Sequence, residues 1–239
     1  MRGGKALPGP CRCEFIRTLT GAFTIIECSR VRGPSSNTMN EQTHLALHGV
    51  AVKKHASAAA VADLLGSDVA TISACLTAAS ARGRASEVGG KYVLTPAGRM
   101  IIDANYSRHY AEARADQSCN AAHRRFEAVN HELKQLITDW QTINIGGQQL
   151  ANDHRDLRYD DKIVDRLSKL HDKALPVLQA LANTVPRFAR YRAKLDTALA
   201  RAEEGERAWL SDATIASYHS VWFELHEDIL RVLGRAREE

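Results

Sequence analysis

The sequence predicts a mainly α-helical protein in which three helices and a small β-hairpin precede an antiparallel helical bundle. Apolar residues recur every three or four positions from Glu41 onward, β-forming residues flank Gly89-Gly90, and residues 100–239 show no strand pattern. With 239 residues, 44% of them hydrophobic, the chain is long enough to bury a substantial core. Since no apolar run is long enough to cross a bilayer, we expect no membrane association.

The first 38 residues differ from the rest in charge and composition. They hold six basic and two acidic residues, which accounts for the whole net charge of +4, and their one apolar run is too short for a signal peptide. Cys11, Cys13 and Cys28 have no fourth metal ligand at a suitable spacing. We therefore expect residues 1–38 to be a disordered leader or an upstream mis-start, with Met39 as the working start. Five cysteines without a disulfide pattern predict a cytoplasmic protein.

Residues 39–103 are expected to form a first domain that opens with three helices. The first helix starts near Glu41, the second is capped by Ser57 and ended by Gly66, and Ser67-Asp68 caps the third. The predicted inner face of the third helix consists of Val69, Ile72, Leu76 and Ala79.

A hairpin and a capped helix follow. Gly89-Gly90 suits the positive φ angles of a two-residue turn, and residues 91–94 are β-formers. Thr95 can then act as an N-cap, with Pro96 at the first helical position, where its missing N–H costs nothing. Three helices followed by a hairpin predict a winged helix-turn-helix.

This segment resembles the MarR-type regulators, in which the hairpin likewise runs into Leu-Thr-Pro-x-Gly-Arg, here residues 94–99. The resemblance covers roughly residues 42–105 and implies a homodimeric regulator that binds double-stranded DNA. The residues expected to contact DNA lie on the outer face of the third helix and on the hairpin: Ser67, Thr71, Ser73, Thr77, Arg82, Arg84 and Lys91. This face is short in basic residues, so it equally suits another protein's helix, and the hairpin charges also fit plain solvation.

Residues 104–239 are expected to form a helical bundle. One long helix buries a stripe that comprises Cys119, Ala122, Phe126, Val129, Leu133, Leu136 and Trp140. Gly146-Gly147 interrupts the pattern, and Pro176 is expected to kink the next helix or to start another. Pro186 opens a further helix that stops at Gly205, and Ser211 is expected to cap the last one.

Tryptophan, tyrosine, histidine and paired charges gather at a few points of the bundle. We expect them to line a shared pocket or a groove that faces a partner. The alternative is a set of core residues whose polar atoms find local partners. The residues are Trp140, Asp153, His154, Tyr218, His219, Trp222 and His226. Metal binding is not expected, because packing explains two histidines on one helix edge as well as ligation does.

The final helix carries Ser-Tyr-His-x-Val-Trp-x-x-Leu-His-Glu-Asp at residues 217–228. A winged helix followed by such a bundle resembles a module attached to, or encoded beside, actinobacterial proteins of the phosphoenolpyruvate-utilising, pyruvate phosphate dikinase-like group. The match runs from about Glu41 to the C-terminus. It implies a partner rather than a chemistry, because the chain has no Gly-rich nucleotide loop and no recognisable phosphohistidine motif.

Two functional interpretations follow. The first is a DNA-binding transcriptional regulator whose bundle mediates dimerisation or senses a small molecule. The alternative is a non-catalytic accessory or regulatory subunit that docks to a phosphoenolpyruvate-utilising phosphotransfer enzyme. Neither catalysis nor a cofactor is expected, because the chain lacks a nucleophile elbow, a phosphate-binding glycine loop and a Cys-x-x-Cys pair.

Overall fold

The computed structural model describes residues 40–237, apart from the side chain of Ile145, and is mainly helical with two small antiparallel hairpins. The expected leader with Cys11, Cys13 and Cys28 lies outside the described residues. All described residues belong to one structural unit. No helix between residues 40 and 237 is both long and apolar enough to cross a membrane.

The first half of the chain folds as expected at the level of its elements. Ser57 caps the second helix, Gly66 ends it with φ 68°, and the Asp68 side chain accepts a hydrogen bond from the Thr71 amide. The elements are α1 (Glu41–Lys53), α2 (Ala58–Leu65), α3 (Val69–Ala81), β1 (Ala85–Val88), β2 (Lys91–Leu94) and α4 (Pro96–His109).

The first hairpin matches its sequence signals. Ala85 pairs with Leu94 and Val88 with Lys91, while Gly89 and Gly90 have φ angles of 58° and 75°. Two positive φ angles in a two-residue turn fit the right-handed twist of the strands. The predicted hairpin is therefore confirmed.

The start of α4 is held against the hairpin. Thr95 Oγ1 accepts a hydrogen bond from the Gly98 amide at 3.0 Å and donates one to the Gly83 carbonyl at 2.7 Å. A Cβ at Gly98 would collide with the backbone carbonyl of Arg84. Glycine at this position is therefore needed for the close approach of α4 to β1.

The second half contains six further helices, a 3-10 turn and a second hairpin. The buried stripe predicted between Cys119 and Trp140 is confirmed, and every one of its seven residues is buried. The elements are α5 (Ala111–Ala115), α6 (Gln117–Gln141), β3 (Thr142–Ile145), β4 (Gln148–Ala151), α7 (Leu157–Thr184), a 3-10 turn (Pro186–Phe188), α8 (Ala189–Glu203), α9 (Ala208–Ser211) and α10 (Tyr218–Leu233).

The second hairpin corrects the expectation that residues 100–239 contain no strand. β3 and β4 pair antiparallel around Gly146 and Gly147, whose φ angles are 61° and 84°. The turn thus repeats the chemistry of the first hairpin. The strands escaped prediction because β4 is exposed along its whole length and shows no alternation of apolar and polar residues.

Two smaller expectations were wrong, and one of the two alternatives for Pro176 is excluded. Pro176 does not start a helix, since it lies inside α7. The last helix is capped by Ser217 rather than Ser211, because the Ser217 hydroxyl accepts from the Ser220 amide. Val69 does not face inward: it is the first residue of α3, next to the Asp68 cap, and is 49% exposed.

Two hydrophobic cores lie side by side. One is formed by α1–α4 and the first hairpin, and the other by the helices from α5 onward. Val52 of α1 and Leu64 of α2 belong to the second core. The first helices therefore pack directly onto the bundle.

Candidate functional site

The residues predicted to contact DNA lie on α3, in the short segments before and after it, and at the start of β2. Helix α3 and the hairpin pack against each other. Arg82, Lys91 and Thr77 are exposed, and Arg84 is half-buried. The other three residues, Ser67, Thr71 and Ser73, are half-buried.

The surface of α3 itself is uncharged. None of its thirteen residues is acidic or basic, and Ala70, Ala74, Thr77 and Ala78 are all exposed. The Thr71 hydroxyl donates to the Asp68 carboxylate at 3.0 Å, so it already serves the helix cap. The available cations of this face therefore lie beyond the helix, at Arg82 and on the hairpin.

The residues that were expected to line a shared pocket in the bundle lie in three separate groups. Trp140 and His154 form the first group. Their rings lie 4.4 Å apart, and His154 Nδ1 is 3.1 Å from Oδ2 of Asp160. Asp160 is buried and also forms an ion pair with Arg207, whose Nε lies 3.0 Å from the carboxylate. Asp153 stays outside this contact set, exposed and 3.4 Å from Arg155. This group joins α6 to the loop before α7.

Tyr218 belongs to a second group. Its hydroxyl lies 3.2 Å from His171 Nδ1, and His171 Nε2 lies 3.0 Å from Asp196. Burial raises the pKa of Tyr218, so the phenol stays protonated. The buried Tyr218 hydroxyl therefore has a local hydrogen-bond partner in His171.

His219, Trp222 and His226 form the third group and line one cavity of about 190 Å³ between α6 and α10. Trp222 Nε1 donates to Asn130 Oδ1 at 3.1 Å, and the indole stacks on Phe126 at 4.8 Å. His226 Nε2 lies 2.8 Å from Oε1 of Glu127. Burial lowers the pKa of both histidines, although Glu127 opposes this at His226.

Only part of the expected shared pocket is therefore present. Three of the seven predicted residues line one cavity, whereas the cavity wall does not include Trp140, Asp153, His154 or Tyr218. No group of three or more metal-ligating side chains in residues 40–237 is arranged to hold a metal ion.

A buried polar cluster, which sequence reasoning missed, joins the two cores. Asp228 of α10 is fully buried, and its carboxylate lies 2.6 Å from Arg187 Nη2, 2.9 Å from His48 Nε2 and 3.0 Å from the Tyr191 hydroxyl. His48 Nδ1 lies 2.8 Å from the Tyr106 hydroxyl. We call His48, Tyr106, Arg187, Tyr191 and Asp228 the interface cluster.

Electrostatics within the interface cluster favour one ionic arrangement. Burial alone would raise the pKa of Asp228, but Arg187 and His48 hold it well below its usual value. Burial lowers the pKa of His48 despite the carboxylate beside it. The stable state is therefore an Asp228–Arg187 ion pair with a neutral His48.

A second buried histidine, His44, lies next to the interface cluster but lacks the hydrogen bonds that His48 makes. His44 is 1% exposed, and neither of its ring nitrogens has a hydrogen-bond partner among the described residues. Its ring stacks on His109 at 3.9 Å. Burial, reinforced by His109, lowers the pKa of His44 to about 3.

The sequence did contain a signal for this cluster. His44 and His48 are four residues apart on the apolar side of α1, and Asp228 follows Leu225 by three positions on the apolar stripe of α10. An acid and histidines on buried helix faces indicate polar groups that need partners. Only the tertiary structure shows that they meet.

Searches against protein-family models, curated proteins and solved structures returned no match.

Proposed function

We propose that the protein is a DNA-binding transcriptional regulator of winged-helix type, whose bundle mediates dimerisation and senses a small molecule. The observation that carries the proposal is the exposed face of α3 beside a hairpin with Lys91 exposed and Arg84 half-buried. A helix that buries only one side and lies next to a projecting hairpin suits insertion into a major groove. The cations next to it suit phosphate contacts, which position a protein without reading sequence.

Helix α10 provides a route between the bundle and α1. One part of its surface lines the cavity at His219, Trp222 and His226. Another part contacts α1 through Glu224–Lys53 at 2.6 Å, Glu227–Lys54 at 2.9 Å and the interface cluster. A ligand that displaces α10 would therefore act directly on the helix that supports α3.

DNA binding can be tested by fluorescence anisotropy on duplexes selected from a random pool. We expect affinity to fall steeply as salt concentration rises, because phosphate contacts release counterions. Arg84→Ala and Lys91→Ala should each weaken binding to all duplexes alike and reduce the salt slope by about one. Arg124→Ala, which removes an exposed cation of α6, is the matched control and should change neither quantity. Absence of binding at low salt by the folded protein would contradict the proposal.

The second candidate is a non-catalytic subunit that docks to a phosphoenolpyruvate-utilising phosphotransfer enzyme. The uncharged face of α3 favours it, together with the exposed Val69 and Val88 at 49% and 64%. Small side chains on a helix let the backbone of another helix approach closely. If this candidate is right, Ala74→Glu should abolish binding to the purified enzyme in calorimetry, while Ala128→Glu on α6 should leave it unchanged.

A further inference from the structure

The cavity between α6 and α10 has walls suited to a small apolar body. Leu133 and Ile137 line it from α6, and Trp222 and Phe223 line it from α10. Its volume of about 190 Å³ resembles that of engineered apolar cavities that admit benzene, which are about 150 Å³. A ligand with one ring, or a branched chain of similar size, fits this space.

The charges at this cavity have one sign. Lys134 and Arg237 line it, and no aspartate or glutamate occurs among its described lining residues. Lys134 makes no ion pair within residues 40–237, while Arg237 lies over the Phe223 ring at 4.4 Å and is 3.4 Å from Glu227. An anionic ligand group would therefore meet one uncommitted ammonium and one weakly held guanidinium.

One polar side chain of the cavity wall is also uncommitted. His219 is partly buried, and no described residue hydrogen-bonds to its ring. Burial lowers its pKa, so at neutral pH the ring is uncharged and carries one N–H donor. By contrast, the neighbouring His226 and Asn130 are committed to Glu127 and Trp222.

We propose that this cavity binds a small organic carboxylate with an apolar body. The carboxylate lies at Lys134, Arg237 and the His219 N–H, and the body packs between Trp222, Phe223 and the aliphatic wall. A carboxylate fits better than a cation, because the lining offers donors and positive charge. This inference rests on the sensing role proposed for the bundle and names the class of ligand sensed.

Calorimetry on the full chain, without DNA, tests the inference with benzoate, its neutral isostere benzamide, and acetate. We expect saturable binding of benzoate, at least tenfold weaker binding of benzamide, and no saturation by acetate, because both the charge and the ring contribute. Acetate keeps the charge without the ring, and benzamide keeps the ring without the charge. Equal affinity for benzoate and benzamide would overturn the inference.

Variants locate the binding. Lys134→Gln should weaken benzoate binding about fivefold through loss of a charge-assisted contact, and should leave benzamide binding unchanged. Lys162→Gln, at an exposed lysine of α7, is the matched control. Melting temperatures of the unliganded variants show that both are folded. Unchanged benzoate affinity in Lys134→Gln, or no saturation below about 10 mM by benzoate, phenylacetate or cyclohexanecarboxylate, would overturn the inference.

The calorimetric result is independent of DNA binding. If benzoate binds as described but the protein binds none of the DNA duplexes, the carboxylate site stands and the regulator proposal fails. If DNA binds and the carboxylates do not, the regulator proposal stands and the carboxylate site fails.

Discussion

At the scale of single residues, burial decides the chemistry of the histidines. His44 and His48 are almost completely buried, and His44 lacks hydrogen-bond partners among the described residues. A buried imidazole resists protonation, because the charged form loses its hydration. Both rings are therefore neutral in the folded protein at pH values where an unfolded chain would already bind protons.

We expect this difference to make the protein acid-sensitive. The pKa of His44 falls from 6.5 to about 3 on folding, so the unfolded state binds more protons below about pH 6.5. Stability contributed by the neutral ring is present above that pH and is lost as the pH falls towards 3. Between pH 7 and pH 5, this one residue should lower the free energy of unfolding by about 2 kcal/mol.

Urea unfolding of His44→Phe at several pH values checks this expectation. Between pH 7 and pH 5, the free energy of unfolding of the variant should fall by about 2 kcal/mol less than that of the wild type. His55→Phe, which alters an exposed histidine of the same region, should keep the wild-type slope. A His44→Phe slope equal to that of the wild type would show that burial of this ring does not govern the acid sensitivity.

At the scale of elements, close packing can reverse an intrinsic preference. Alanine is a better helix former than glycine by about 1 kcal/mol, yet Gly98 stands in the first turn of α4. The reason is the Arg84 carbonyl, which occupies the space that a Cβ would need. The same contact holds α4 against the end of the hairpin.

Gly98→Ala should therefore destabilise the protein by about 1–3 kcal/mol, although helix propensity alone predicts a gain. Chemical denaturation monitored by circular dichroism gives the free energy of unfolding. Ser107→Ala, at an exposed position of the same helix, should be neutral or slightly stabilising. A stabilised Gly98→Ala protein would mean that α4 does not pack this closely on the hairpin.

At the scale of the whole molecule, the interface cluster ties the two cores together. His48 comes from the first core, whereas Arg187, Tyr191 and Asp228 come from the bundle. Removing one partner of a buried ion pair is costly, because the other charge remains without water. The cluster should therefore make the two halves unfold as one.

Asp228→Asn tests this coupling. We expect a loss of about 3–5 kcal/mol, because Arg187 remains buried without its carboxylate. The three tryptophans all lie in the bundle, so their fluorescence reports that half while circular dichroism reports all helices. The two transitions should coincide in the wild type and separate in Asp228→Asn.

Asp153→Asn, at an exposed carboxylate, is the control and should leave both transitions unchanged. Separate transitions already in the wild type would show that the cluster does not couple the halves. A variant within about 1 kcal/mol of the wild type would show that the ion pair is not needed.

Elements whose signals are local could be predicted from the amino-acid sequence. Ser57, Asp68 and Thr95 mark helix starts because their side chains accept hydrogen bonds from nearby amides, and Gly66 marks a helix end through its positive φ angle. The stripe of α6 follows from a helical period. Gly89-Gly90 marked its hairpin because apolar β-formers stand beside it. The similar turn at Gly146-Gly147 lacked that context on one side, since β4 is exposed along its whole length and shows no alternation of apolar and polar residues.

Which polar side chains meet depends on how the helices pack and could not be predicted from the sequence. His48 and Asp228 are 180 positions apart, and no periodic pattern reports a contact over that distance. The same applies to Lys134 and His219, which share a cavity although the sequence singled out only the histidine. Helical periodicity determines which face of a helix is buried, but the partner of each buried group depends on how the helices are placed against each other.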